Sequence, residues 1–242
     1  MPDVRIADVD LSLRLPSGNW DGFFPPAKEK VKGFLGFYYE ETPLKSHDPT
    51  LDRSQRKITM CCPIDNDGCQ FFSVPALIKN SAFLAGLISK DYRSIHSAGF
   101  ILKSKGILLI GKSGCGKSTL VSLFPDAKVL DDEILLTDGR KMIRCSYYYS
   151  NTMLAPNHNL LESSIDYIFI LNKQKVPDAL KPINTQELSH SITFDDRLPE
   201  AFLEPYKGKS RIKVSSPIYE LGTKCEPRKS KELIESVLMD NK

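Results

Sequence analysis

The stretch that most constrains this chain runs from Ile107 to Phe124, ILLIGKSGCGKSTLVSLF. The apolar run Ile107 to Ile110 reads as a fully buried strand. It leads directly into Gly111-Lys112-Ser113-Gly114-Cys115-Gly116-Lys117-Ser118, which matches the G-x-x-x-x-G-K-[ST] phosphate loop at every fixed position. A strand before the glycines and a helix start after them is the context the motif requires, so the spacing predicts a nucleotide-phosphate site.

The residue types supply the reason. Gly111, Gly114 and Gly116 let the main chain adopt conformations closed to residues with a Cβ, so successive N–H groups can turn inward around phosphate oxygens. A helix opening at Lys117 adds its first N–H groups and the positive end of its dipole. Lys117 reaches the β- and γ-phosphates as a point charge, and Ser118 supplies the hydroxyl expected on Mg²⁺. The candidate nucleotide-binding residues are therefore Gly111, Lys112, Ser113, Gly114, Cys115, Gly116, Lys117, Ser118 and Thr119. Cys115 occupies a variable position of the motif and is given no redox role.

With 242 residues, 41% hydrophobic and 26% charged, the chain has the composition of an ordinary globular protein and can bury a proper core. Its 33 basic and 30 acidic residues leave a formal charge of +3, too small to argue for a nucleic-acid or membrane partner. No basic-then-apolar segment follows Met1, and the apolar runs are far shorter than the ~18 residues that span a bilayer, so a cytoplasmic location is expected. Cys61, Cys62, Cys69, Cys115, Cys145 and Cys225 lack paired C-x-x-C spacing and are expected as free thiols.

Residues 1 to about 74 read as strand-rich, with Val4–Leu15, Phe34–Glu40 and Lys57–Cys61 as candidate strands. Pro75 to about Asp91 has helical spacing. His96–Lys103 and Ile107–Ile110 read as strands joined by a Ser104-Lys105-Gly106 hairpin turn, and the helix after the loop is stopped by Pro125. Tyr167–Leu171 reads as a strand, Thr185–Ser189 as a helix and Ser210–Val214 as a strand. Ser230–Met239 reads as a closing helix with Leu233, Ile234, Val237 and Leu238 on one face.

Soon after the loop helix come three consecutive acids, Asp131, Asp132 and Glu133, between two apolar pieces. Adjacent acids at a strand end on the loop's side can divide the labour of phosphoryl transfer. One sits near Mg²⁺ and the other accepts the proton of an attacking hydroxyl. Neighbours in a strand point oppositely, so the pair cannot share one role unless the strand ends there. His96, upstream of the loop, is either a satisfied strand-end histidine or part of this constellation. Arg144, Arg197 and Arg211 are candidates for a γ-phosphate clamp. The Leu-Ser-Gly-Gly-Gln segment of ABC-type ATPases is missing, and Asn172-Lys173-Gln174-Lys175 has Lys where a GTPase needs Asp.

Taken in order, His96-Ser97-Ala98-Gly99, then ILLIGKSGCGKST, then Val129-Leu130-Asp131-Asp132-Glu133-Ile134, the chain resembles the catalytic domain of the HPr kinase/phosphorylase family. That family is structurally akin to ATP-dependent phosphoenolpyruvate carboxykinases. This chain looks closer to that family's shorter, divergent serine-kinase relatives. The resemblance implies ATP bound by Gly111 to Ser118, Mg²⁺ on Ser118, Asp132 as the base and His96 supporting the transferring phosphate. Asp131 is then left for the metal, and it and Lys117 join Asp132 and His96 in the expected catalytic set. It implies an α/β fold with a phosphate-loop kinase core over residues 91–242, preceded by a strand-rich region over 1–90. The expected activity is Mg²⁺- and ATP-dependent transfer of the γ-phosphate to a hydroxyl, a serine of a protein or peptide or a small-molecule alcohol. A homo-oligomer is compatible with it, and neither a nucleic acid nor a membrane is expected as partner. The rival expectation is a nucleotide-binding regulatory or scaffold protein that keeps the loop and transfers nothing.

Overall fold

The structure is a computed structural model that describes residues 4–6, 9–15, 37–39, 50–52, 57–61, 85–86, 89–112, 114–144, 160, 162–185, 187–189 and 211–240. The chain divides into two compact units, Met1–Ser94 with Cys145–Ser150, and Ile95–Arg144 with Asn151–Lys242.

The first unit contains β1 (Val4–Ile6), β2 (Val9–Leu15), β3 (Phe37–Tyr39), β4 (Thr50–Asp52) and β5 (Lys57–Cys61). The alternating segment expected as one strand is two strands, paired antiparallel with Ile6 opposite Val9. Along β2, β3 and β5 run parallel, and β4 closes antiparallel on β5. Of the expected Pro75–Asp91 helix, Ala85 and Gly86 are described as helical, and most of the rest lies outside the described residues.

The second unit is described by β6 (Arg93–Leu102), β7 (Lys105–Ile110), α1 (Lys117–Ser122), β8 (Lys128–Asp131), β9 (Ile134–Thr137), β10 (Lys141–Arg144), β11 (Glu162–Ser164), β12 (Tyr167–Asn172), β13 (Lys181–Pro182), β14 (Glu187–Ser189), β15 (Arg211–Lys213), β16 (Ile218–Gly222) and α2 (Pro227–Asp240). Its main sheet runs β11-β10-β9-β6-β7-β12-β16-β13, and β8 also pairs with β6. The hairpin turn between β6 and β7 is not Ser104–Gly106. It is Lys103–Ser104, both left-handed at φ 51° and 62°, the two-residue geometry that suits strand twist. Gly106 lies within β7, where the Ser164 carbonyl fills the space a Cβ would need. The helix expected over Thr185–Ser189 is also corrected: Glu187–Ser189 is a strand, with Leu188 opposite Ile212 and both side chains buried. So short a segment cannot hold a helix by itself, and pairing with β15 decides its state.

On one face of β7, β12 and β16, Leu109, Phe169, Leu171 and Leu221 pack against Leu120 and Val121 of α1 and Ile234 and Leu238 of α2. On the other face Leu108, Ile168 and Ile218 pack with Ile95, Leu135, Met142, Leu188 and Ile212. Burial on both faces is why β7 and β12 read as unbroken apolar runs. The architecture is mixed α/β with a strand-rich sheet. Among the described residues no helix is long and apolar enough to cross a membrane.

Register decides what the sheet presents at its edge. β7, β12 and β16 are parallel, with Ile110 opposite Ile170 and Asn172 opposite Gly222, so all three end at the same side. β6 is antiparallel to β7 with Ser97 opposite Ile110, which brings His96 to that side. β8 is antiparallel to β6 with Asp131 opposite Gly99, so the acids also leave there. In open α/β sheets this carboxyl-end edge is where ligands bind.

Candidate functional site

The loop after β7 owes its shape to two different demands on glycine. Gly114 and Gly116 have φ of 71° and 97°, and among the described residues an added Cβ would meet no atom within 4 Å at either. The left-handed dihedral, not lack of space, requires glycine there. At Gly111 the demand is steric, since a Cβ would lie 2.6 Å from Cys115 Sγ. Cys115 is buried in the helix-side core and its N–H donates to Lys112 O at 3.1 Å, so it packs the loop from inside. Its place at a variable position of the motif does not reveal that packing role. Helix bonding begins with Leu120 N donating to Gly116 O at 2.8 Å. Thr119 is exposed on α1, and Ser113 lies outside the described residues.

Lys117 is 5% exposed, and its Nζ donates to Gly111 O at 2.8 Å and Lys112 O at 3.3 Å. Burial holds the amine below the usual lysine range. The fields of Cys115, Asp132 and Glu133 act in the opposite direction and favour its charged form. Asp132 and Glu133 thus lie within electrostatic reach of the loop lysine.

The acid turn between β8 and β9 is fixed from two sides. Glu133 O accepts from Ser97 N at 3.0 Å, and Asp131 Oδ1 accepts from Glu133 N at 3.0 Å, a side-chain turn of the kind aspartate favours. Asp131 and Asp132 are both buried, at 8% and 6% exposure. Burial pushes the Asp131 carboxyl up to about 7. The Glu133 amide bond and the Arg144 guanidinium oppose that rise, and Asp132 adds to it. Arg144, a clamp candidate, is 1% exposed on β10 and acts on Asp131 from within the unit. Arg211 is exposed on β15, and Arg197 lies outside the described residues. His96 is half-buried at the N-terminal side of Ser97 and engaged in interactions of its own.

The structure therefore brings the loop, Lys117, the acid turn and His96 to one sheet edge, and separates the two aspartates by partner. Sequence reasoning counted Glu133 among the acids but gave it no role. It also passed over Thr223, whose Oγ1 donates to Cys115 O at 3.0 Å. No sequence signal marks a threonine so distant along the chain. Among the described residues no group of three or more His, Cys, Asp or Glu side chains could hold a metal ion by itself.

The Asp131 shift has a thermodynamic consequence with a definite sign. Its carboxyl is raised from 3.8 to about 7, so between those values the folded chain keeps a proton that the unfolded chain has released. Stability then falls as pH rises through this window and levels above it. In the nucleotide-free protein, Asp131→Asn, which keeps the oxygen that accepts from Glu133, will flatten that decline. Urea melts at the two ends of the window measure it, and an unchanged slope in the variant would assign the proton elsewhere.

Fold and site together define a mixed α/β protein in which a glycine-rich loop, a buried lysine and an acid turn share one sheet edge. No family model matches the chain, and no curated protein does. Among solved structures it is similar to that of the Hpr(Ser) kinase/phosphatase from Coxiella burnetii, at 14% identity and a TM-score of 0.33, over 61% of this chain and 97% of that one.

Proposed function

We propose that the protein is a Mg²⁺- and ATP-dependent kinase that passes the γ-phosphoryl group to a hydroxyl, a serine of a protein or peptide. The observation that supports this reading is the convergence of the glycine loop, Lys117 and the acid turn on the carboxyl edge shared by β7 and β8, set by the pairing of both strands with β6.

The donor set suits the implied cofactors. Mg²⁺ takes one or two protein oxygens and completes its shell with phosphate oxygens and water, so the lack of a three-carboxylate cluster is no obstacle. The Ser118 hydroxyl at the start of α1 would face the ion, which leaves the Asp132 carboxylate to act as a base. When bound, Mg²⁺ neutralises charge on the β- and γ-phosphates. Asp131, expected from the sequence as the metal ligand, has Oδ1 engaged by the Glu133 amide and stands in the field of Arg144. We assign it the holding of the turn instead.

Lys117 exchanges its two carbonyl acceptors for phosphate oxygens and binds them as a point charge. The glycines at positive φ orient main-chain N–H groups toward the same phosphates. Asp132 accepts the proton of the attacking hydroxyl, and His96, on the neighbouring strand, supports the transferring group.

The test is transfer itself. Incubated with γ-labelled ATP and a serine-containing peptide library, the protein is expected to label peptides at alkali-labile serine esters. Tight Mg-ATP binding with no label in any peptide, protein or alcohol acceptor would instead make it a nucleotide-binding regulator.

A further inference from the structure

A cavity of about 320 Å³ opens where the chain leaves β12 and β16, lined by Val176, Ala179 and Gly222 and by the charged Lys175, Asp178, Lys181 and Glu220. We propose that this cavity receives the base-and-sugar end of a nucleotide whose phosphates lie in the Gly111–Ser118 loop. The proposal rests on the phosphate-binding reading of that loop and adds to it where the rest of the ligand goes.

Topology gives the direction. The acid turn follows β8, which pairs with β6, on one side of β7. On the other side come β12 and then β16, both ending at the edge that carries the loop. A triphosphate whose terminal group faces the acids has its nucleoside end directed over β12 and β16. Two strand spacings put β16 about 10 Å from β7, the scale of a sugar and base together.

The rim of the cavity is tied to the loop. Thr223, directly after β16, donates through Oγ1 to Cys115 O at 3.0 Å and through its N–H to Asn172 O at 3.1 Å. Lys224 N donates to Lys175 O at 2.9 Å. At Gly222 the main chain of 175–176 comes so near that a Cβ would lie 2.6 Å from Lys175 O and nearer still to Val176 O. The cavity wall and the loop form one connected frame.

Its chemistry suits a flat, partly apolar ring with polar edges. Val176 is 43% exposed at the mouth, one of two large hydrophobic side chains so open among the described residues, and Ala179 and Gly222 add small apolar surface. Glu220 is held by Lys175 Nζ at 2.7 Å and Asn172 Nδ2 at 2.9 Å. That places an oriented carboxylate beside an ammonium, an acceptor and a donor for a ring's amino group and ring nitrogen or carbonyl. Four of the seven lining residues are charged, so the polar edges of the ring rather than its faces carry most of the recognition.

The experiment compares ATP with inorganic tripolyphosphate, which shares the phosphates and lacks the nucleoside. Both are titrated against wild type, Lys117→Ala, Ala179→Trp and Val176→Glu. Wild type is expected to bind ATP more tightly. The two cavity variants, at exposed positions, should lose about tenfold or more in ATP affinity while tripolyphosphate binding is unchanged. Lys117→Ala should weaken both ligands. If Lys117→Ala weakens both and the cavity variants weaken neither, the nucleoside lies elsewhere and this proposal is wrong, while the phosphate site stands. If neither ligand binds wild type, or Lys117→Ala changes neither, both readings fall.

Discussion

Lys117→Ala will bind Mg-ATP at least about a hundredfold more weakly than wild type, because removing one member of a buried charge contact costs about 3 kcal/mol. The side chain is 5% exposed, and its ammonium is held against Gly111 O and Lys112 O by bonds that phosphate oxygens replace. Burial works against this charge, so the protein tolerates it only where anionic partners compensate, and Asp132 and Glu133 already act in that sense. Alanine leaves two carbonyls without their donor but relieves the buried ammonium, so the melting temperature should change little. Titration with a fluorescent ATP analogue, checked by a thermal melt, reads both quantities. Wild-type affinity in the folded variant would remove the loop from the account.

Asp132→Asn is expected to separate binding from chemistry. The substitution keeps the shape of a side chain that is 6% exposed and removes its basicity, so the turn fixed by Ser97 and Asp131 should persist. A positioned base contributes about a hundredfold to ten-thousandfold, and phosphoryl transfer should fall by that order. ATP affinity should move by only a few-fold, since the direct phosphate contact is with Lys117. Label transfer and nucleotide titration on one preparation give the two numbers. Equal transfer by wild type and Asp132→Asn would mean that Asp132 is not the base.

The parts of this fold that could be read from the residues are those whose state is set locally. β7 and β12 announced themselves because burial on both faces leaves an uninterrupted apolar run. α2 did so because Leu233, Ile234, Val237 and Leu238 share a stripe that packs on the core. The loop was legible for a similar reason, its glycines answering to dihedrals at Gly114 and Gly116 that few other residues adopt. What failed was decided at a distance. Glu187–Ser189 became a strand because β15 supplied a partner, and the hairpin turn fell on Lys103–Ser104 because Gly106 was needed where Ser164 approaches β7.

The same division holds within the site. The acid pair was visible as a pattern, but which aspartate faces which partner depends on Arg144, whose charge works from inside the unit although arginines usually lie at the surface. Cys115 looked like a filler of the motif and proved to be its packing centre. Thr223 reaches the loop from a strand end that no local spacing connects to it.

The most direct trial is a crystal of the protein grown with a non-hydrolysable ATP analogue and Mn²⁺, read by its anomalous signal. The account predicts the triphosphate over Lys117 Nζ, with the manganese peak beside the Ser118 hydroxyl and the Asp132 carboxylate facing the γ-phosphate. Manganese beside phosphates bound away from this loop, or an Asp132 turned from them, would contradict it.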